Sequence, residues 1–125
     1  MIDHIGIKVS DLEKSVTFYE KTLGTLGYKR IEGRTAFTLG KPEDFYGYGS
    51  VWLSQRNENK KITQNIHIAF RVPDVKTVKR FYDAAMAAGG RDNGEPNKCP
   101  EYGDRYYGGF VLDPDGNNIE ATTYV

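Results

Sequence analysis

The sequence predicts an α+β fold built from two copies of a strand–helix–strands unit. Two stretches, IDHIGIKVS (2–10) and NIHIAFRV (65–72), alternate apolar and polar residues with the period of a half-buried strand. Each is followed by a helical pattern. A shift of 63 residues places 4–27 over 67–90, with identical residues at seven of the 24 aligned pairs. We interpret this similarity as an internal repeat, because it spans a strand, a cap and a whole helix; the alternative is two unrelated strand–helix units.

The first helix is predicted over about 11–26. Ser10 and Glu13 have the spacing of a capping box at its start. Gly27 suits the C′ position at its end. The apolar residues of this helix recur at intervals of three and four: Leu12, Val16, Tyr19, Leu23 and Leu26.

Three strands and a linker are predicted next. The stretch YKRIEGRTAFTLG (28–40) predicts two strands around Glu32-Gly33, and GSVWLSQ (49–55) predicts a further one. The segment RNENKK (56–61) is polar and unpatterned, as a linker would be. We therefore predict one domain, with module 1 at about 1–56, a linker at about 57–64 and module 2 at about 65–125.

The second copy repeats this order. Asp74 is placed to cap a helix over about 75–90, which has Val75, Val78, Tyr82 and Ala85 on one face. Strands are predicted at about 106–112 and 118–124, joined by the turn DPDGNN.

Composition excludes several classes of function. Seventeen basic and seventeen acidic residues cancel, so no strong field attracts nucleic acid or an acidic lipid surface. Mean hydropathy is −0.60, and no apolar run approaches the roughly 20 residues needed to cross a bilayer. The single Cys99 cannot form an internal disulfide, and the first residues have no export pattern. We therefore expect a cytoplasmic protein, and we interpret Cys99 as a bystander.

The candidate chemistry lies in the two histidines of the chain, His4 and His67, and in Glu120. Each histidine is out of phase with the apolar residues of its strand, so both face away from the helices. Glu120 shares a face with Thr122 and Tyr124 in the last strand. Two imidazoles and one carboxylate suit a divalent metal and leave positions open for substrate. The alternative is two polar surface histidines and a solvated glutamate.

Three segments together resemble the vicinal oxygen chelate superfamily: IDHIGIKVSDLEKSVTFYEKTLG, IHIAFRVPDVKTVKRFYDAAMAAGG and FVLDPDGNNIEA. This superfamily includes glyoxalase I, bleomycin-resistance proteins, extradiol dioxygenases and fosfomycin-modifying enzymes. The resemblance implies two βαβββ modules whose mixed sheets form a cup with helices on the outer face, commonly in a homodimer. It also implies that His4, His67 and Glu120 bind a divalent metal: zinc, nickel, manganese, iron or cobalt.

One position departs from the pattern of glyoxalase I, which has a fourth, carboxylate ligand on the last strand of its first module. Trp52 occupies the position that corresponds to Glu120 in the first copy, and an indole cannot bind a metal. Extradiol enzymes use a further histidine, which this chain lacks. These differences favour lyase, isomerase or thiol-addition chemistry on a small substrate with vicinal oxygens.

The predicted substrate pocket is mainly aromatic. Glu120 and Tyr107 are the catalytic candidates, with Tyr107 as acid/base or as hydrogen-bond donor to a metal-bound oxygen. The pocket candidates are Tyr48, Trp52, Tyr102, Tyr106, Tyr107, Tyr124, Arg71 and Arg105. Core tyrosines and surface arginines are the alternative explanation of these residues. Three other functions stay open: a binding module that sequesters a planar compound on Trp52, an extradiol-dioxygenase-like oxygenase, and a structural protein that has only kept the fold.

Overall fold

The computed structural model describes residues 2–32, 37–41 and 49–125. Within these residues the helices are α1 (Leu12–Gly24) and α2 (Val75–Ala87), and a short 3₁₀ helix covers Pro100–Tyr102. The strands are β1 (His4–Val9), β2 (Lys29–Ile31), β3 (Phe37–Gly40), β4 (Ser50–Gln55), β5 (His67–Arg71), β6 (Arg91–Lys98), β7 (Tyr106–Leu112) and β8 (Asn118–Tyr124). No helix in the described ranges is long and apolar enough to span a membrane.

Each module forms its own four-stranded mixed sheet, which confirms the α+β class and the two modules. The strand orders are β1-β4-β3-β2 and β5-β8-β7-β6. The first and last strands of each module pair in parallel, and the other pairs are antiparallel. Both modules therefore have the order βαβββ, and the strands that carry the two histidines lie at sheet edges.

Both helices begin at repeat-equivalent aspartates. The Asp11 side chain accepts a hydrogen bond from the Lys14 backbone N–H at 3.1 Å, and Asp74 accepts one from Thr77 at 2.8 Å. Each carboxylate satisfies a backbone donor that the helix itself cannot. The cap predicted at Asp74 is confirmed.

The capping box predicted at Ser10 and Glu13 was wrong. Asp11 is the N-cap residue of α1, and an aspartate caps a helix as well as a serine does. The Ser10 hydroxyl donates instead to the Asp115 carboxylate in the turn before β8. Ser10 thus joins the end of β1 to the second module.

Gly27 has the predicted C′ role. Its φ is +88°, in the left-handed region that favours glycine. The Tyr28 N–H donates to the Leu23 carbonyl and the Gly27 N–H to the Gly24 carbonyl, both at 3.1 Å. This pair of bonds is a Schellman motif, and it ends the helical segment close to the predicted boundary.

Strand β6 (RDNGEPNK) was not predicted, because its sequence lacks the apolar alternation of a strand. Gly94 and Pro96 are both unfavourable inside regular strands. The pairing with β7 shifts register twice, between Asp92 and Gly94 and between Gly94 and Asn97. As an edge strand, β6 tolerates these irregularities.

The hydrophobic core joins the two modules. Helix α1 packs against α2 as well as against its own sheet. Core side chains come from both modules, among them Ile7, Phe18, Leu53, Val78, Phe81 and Ile119, all of them almost completely buried. Burial of this apolar surface is the main force that holds the modules together.

Gly90→Ala is expected to destabilise the protein by about 1–3 kcal/mol through overpacking. A Cβ at Gly90 would lie 2.7 Å from Phe18 Cε2 in the other module and 2.7 Å from the Ala85 carbonyl oxygen. Urea unfolding would measure the change. Gly24→Ala is the control, because a Cβ there meets nothing within 4 Å, and a helical alanine should stabilise by up to about 1 kcal/mol. Equal stability of Gly90→Ala and the unmodified protein would contradict this packing.

The turn before β8 connects several segments through buried Asp113. This carboxylate accepts from the Tyr19 hydroxyl of α1 at 2.5 Å and from the Asn117 backbone N–H at 2.8 Å. Burial, and then the nearby Asp113 charge, raise the pKa of the Tyr19 phenol well above its ordinary value. The Asn117 amide donates to the carbonyl of Thr63 in the predicted linker at 2.9 Å. The turn therefore fixes α1 and the linker to the start of β8.

Candidate functional site

His67 and Glu120 are brought together by the parallel pairing of β5 with β8. Ala69 pairs with Glu120 in this register, so the His67 and Glu120 side chains lie diagonally on one face. His67 Nε2 and Glu120 Oε2 are 2.8 Å apart. Glu120 is 1% exposed, whereas the His67 side chain is 51% exposed. The carboxylate of Glu120 is thus buried, and the imidazole that contacts it is exposed to solvent.

Tyr106 makes the second contact of the Glu120 carboxylate. Its hydroxyl donates to Oε1 at 2.6 Å. Burial, followed by this hydrogen bond, raises the pKa of Tyr106 to about 12. The phenol therefore stays protonated at neutral pH and remains a hydrogen-bond donor to the carboxylate.

His4 lies in a different environment from His67. Its ring stacks on Trp52, with centroids 3.7 Å apart and an angle of 5° between the planes. Its Nδ1 is 2.7 Å from the Asp3 carboxylate. Across residues 2–32, 37–41 and 49–125, no three histidine, cysteine or acidic side chains lie close enough together to hold a metal. The structure thus brings His67 and Glu120 together and does not place His4 with them.

Trp52 occupies the position in module 1 that Glu120 occupies in module 2. Trp52 pairs with Gly6 on β1, and Glu120 pairs with Ala69 on β5. Gly6 and Ala69 are themselves related by the 63-residue repeat. The register therefore supports the predicted equivalence, and a tryptophan stands where the first copy would carry a carboxylate.

Tyr107 lies on the opposite face of β7 from Glu120, because neighbouring residues of a strand point to opposite sides. Its hydroxyl donates to the Pro96 carbonyl at 3.2 Å, and its ring packs against the core. The tyrosine that contacts Glu120 is Tyr106. The sequence predicted Tyr106 only as a pocket residue. Tyr107 therefore makes no contact with Glu120 here, and its acid/base role stays a prediction.

Three of the predicted pocket tyrosines form a row beside Glu120. The rings of Tyr102 and Tyr106 are 5.3 Å apart, and those of Tyr106 and Tyr124 are 5.4 Å apart, both edge to face. The Arg71 guanidinium lies 4.4 Å from the centre of the Tyr124 ring. The rings of Tyr102, Tyr106 and Tyr124 thus form an aromatic wall on the open face of module 2. The Arg71 guanidinium lies at its Tyr124 end.

The other two predicted pocket residues are Arg105 and Tyr48. The Arg105 side chain donates to the Val125 carbonyl at 2.8 Å. Tyr48 lies outside the described residues. Phe110 and Gly108 were not predicted, although both lie on the face of β7 that Glu120 shares. Only the alternation of residues in the YYGGFVL segment could have indicated them.

A cavity of about 390 Å³ opens beside His67. Phe110, Tyr102 and Asn118 contribute to its lining, together with residues of β6. Cys99 also lines it, and burial raises the pKa of this thiol, so Cys99 is a poor nucleophile at neutral pH. The cavity has the size of a small-molecule site and adjoins the histidine–carboxylate pair.

The fold and this site define a class of protein with paired βαβββ modules and a histidine–carboxylate centre on an open sheet face. Residues 1–121 match the model of the Glyoxalase/Bleomycin resistance protein/Dioxygenase superfamily. The chain belongs to this family, as its resemblance to vicinal oxygen chelate proteins implied.

The relatives in this family are named for different activities. The chain is 32% identical to the "Probable lactoylglutathione lyase" of Vibrio parahaemolyticus, covering 94% of this chain and 86% of the relative. It is 29% identical to the "Metallothiol transferase FosB" of Lysinibacillus sphaericus, covering 98% and 81%. A crystal structure of a glyoxalase/bleomycin resistance protein from Albidiferax ferrireducens T118 superposes with a TM-score of 0.82 at 25% identity, covering 98% of each chain.

Proposed function

We propose that the protein is a metal-dependent enzyme of the glyoxalase type, a lyase, isomerase or thiol transferase that acts on a small substrate with vicinal oxygens. The observation that carries this proposal is the buried Glu120 carboxylate, which the His67 imidazole and the Tyr106 hydroxyl contact from two sides. A carboxylate is costly to bury without a function or a strong partner. The relatives named as a lyase and as a metallothiol transferase support the same two reaction classes.

The His67–Glu120 pair fits a divalent metal. Imidazole nitrogen and carboxylate oxygen are both ligands of zinc, nickel, manganese, iron and cobalt. His67 Nε2 and Glu120 Oε2 already face each other at 2.8 Å. A bound metal would act as a Lewis acid toward substrate oxygens that develop negative charge.

The partner's His4 supplies the third ligand in this proposal. His4 does not group with His67 and Glu120 within the described part of the chain, yet β1 and β5 each form an edge of their sheet. In a dimer with a two-fold axis, a contact between β1 of one chain and β5 of the other would occur twice. The functional unit is then a homodimer with two equivalent sites.

The substrate would occupy the cavity beside His67, against the rings of Tyr102 and Phe110 that line it. Aromatic side chains exclude water and so strengthen electrostatic interactions at the reacting oxygens. An anionic group that extends from this cavity along the aromatic wall would meet Arg71 beside Tyr124.

Protein purified without chelator is expected to contain about one metal ion per chain. His67→Ala and His4→Ala should each lower this content strongly, because each removes a ligand. Metal content is measured by elemental analysis, and size-exclusion chromatography with light scattering gives the oligomeric state. Lys61→Ala, which removes an exposed side chain of the linker, is the control.

A content below about a tenth of an equivalent, unchanged in His67→Ala, would exclude the metal. Full metal content in His4→Ala, with loss only in His67→Ala, would exclude the role of the partner's histidine.

The second candidate is a binding module that sequesters a planar compound without turnover. The stacked His4–Trp52 pair favours it, because an exposed histidine already lies flat on the indole, as a planar ligand would. A thermal-shift screen separates the two functions. Stabilisation by aromatic compounds, with none by any divalent metal, would favour the binding module.

A further inference from the structure

We infer that Tyr106 and Gly108 hold the Glu120 carboxylate so that it offers a single oxygen, Oε2, to a metal. This inference rests on the proposed function. It assigns to both residues of β7 a positioning role that acts through Glu120 rather than through contact with a substrate.

Oxygen Oε1 is enclosed on two sides. The Tyr106 hydroxyl donates to it at 2.6 Å. On the Gly108 side, a Cβ would lie only 2.8 Å from Oε1, so the carboxylate occupies space that any residue other than glycine would fill. Gly108 has ordinary backbone geometry here, since its φ is not in the left-handed region. A glycine is therefore needed at position 108 to let the Glu120 carboxylate approach the backbone closely, and not to allow an unusual φ.

Oxygen Oε2 has different surroundings. It faces His67 Nε2 at 2.8 Å, and the His67 side chain is the exposed member of the pair. The second oxygen is thus directed toward the proposed ligand and toward the open face. The two oxygens of one buried carboxylate have separate roles.

Tyr106 is itself fixed in place. Its ring lies edge to face between Tyr102 and Tyr124, at 5.3 and 5.4 Å. These contacts restrict the ring, so the hydroxyl is directed at Oε1 before any ligand arrives. A preset donor holds the carboxylate in one orientation without further ordering cost.

The consequence concerns the number of open coordination positions. A carboxylate that binds through one oxygen occupies one position, and a carboxylate that binds through both occupies two. By holding Oε1, Tyr106 keeps one more position free. A substrate that binds through two oxygens needs that position.

The test is a titration of the metal-free homodimer with Co²⁺. Tyr106→Phe should weaken binding about 10- to 100-fold, the usual effect of losing a group that orients a metal ligand. At saturating Co²⁺ its visible absorption should also differ, because the freed Oε1 changes the coordination of the metal. Gly108→Ala should weaken binding in the same direction, since its Cβ displaces the carboxylate while the tyrosine hydroxyl stays.

Tyr82→Phe is the matched control. The Tyr82 hydroxyl also bonds a carboxylate, that of Asp92 at 2.9 Å, but on α2 and away from the site. Its affinity and spectrum should equal those of the unmodified protein. Circular dichroism and melting temperature would show that each variant is folded, and if Tyr106→Phe fails to fold, Gly108→Ala carries the test.

The outcomes separate this inference from the proposed function. If the unmodified protein binds Co²⁺, His67→Ala does not, and Tyr106→Phe and Gly108→Ala bind with unchanged affinity and spectrum, the positioning role is overturned and the metal site stands. If the unmodified protein does not bind Co²⁺ or any other divalent metal, both fail together.

Discussion

Glu120→Gln is expected to abolish metal binding while the protein stays folded. Glutamine has the shape of glutamate, and its amide oxygen still accepts the hydrogen bond that Tyr106 now donates to Oε1. The negative charge is lost, and a neutral amide is a poor ligand for these metals. Affinity should fall by more than about 100-fold, beyond the usual effect of losing an outer hydrogen bond to a ligand. Isothermal titration with zinc or cobalt measures the change.

Glu20→Gln is the control for Glu120→Gln, because Glu20 is an exposed residue of α1. It removes the same charge far from the site and should leave the affinity unchanged. Metal binding by Glu120→Gln as tight as that of the unmodified protein would exclude this carboxylate as a ligand.

Asp113→Ala is expected to lower the free energy of unfolding by about 3 kcal/mol or more. The buried carboxylate accepts four hydrogen bonds, from Tyr19 Oη, Asp115 N, Asn117 N and Asn117 Nδ2. Without this carboxylate the Tyr19 hydroxyl in α1 is buried and unpaired. The turn before β8 also loses the three hydrogen bonds that Asp115 and Asn117 donate to Asp113. Guanidinium unfolding followed by circular dichroism measures the loss.

Asp104→Ala, an exposed position just before β7, serves as the comparison. It should change stability by no more than about 0.5 kcal/mol, as is usual for surface substitutions. A loss in Asp113→Ala no larger than that in Asp104→Ala would show that this network contributes little to stability.

The α+β class and the two modules could be predicted because local signals and the repeat agree. Asp74 and Gly27 cap helices through interactions with residues only a few positions away, so the local sequence is enough to predict them. Strand β6 could not be predicted, because its pairing with β7 is set by the neighbouring strand and not by its own polar residues. Ser10 failed for a related reason: its partner, Asp115, is distant in the sequence.

For the candidate site, the alternation of residues along a strand predicts the sheet face on which each side chain lies, and little more. Alternation correctly placed His67 and Glu120 on one face, and the repeat correctly aligned Trp52 with Glu120. The choice between Tyr106 and Tyr107 was not determined, because both phases of the YYGGFVL segment are apolar and only pairing with β8 fixes them. The position of His4 depends on how modules or chains associate, which periodicity does not encode.

The residues that neighbour Trp52 and Glu120 across the sheet bear on how this protein can evolve. Gly6 and Ala69, the residues paired with them, are the two smallest side chains available, and a Cβ at Gly6 would meet nothing within 4 Å. Both residues are exposed, so neither is part of the core. A substitution at Gly6 or Ala69 would therefore add side-chain volume next to Trp52 or Glu120 while the residues of the core stay unchanged.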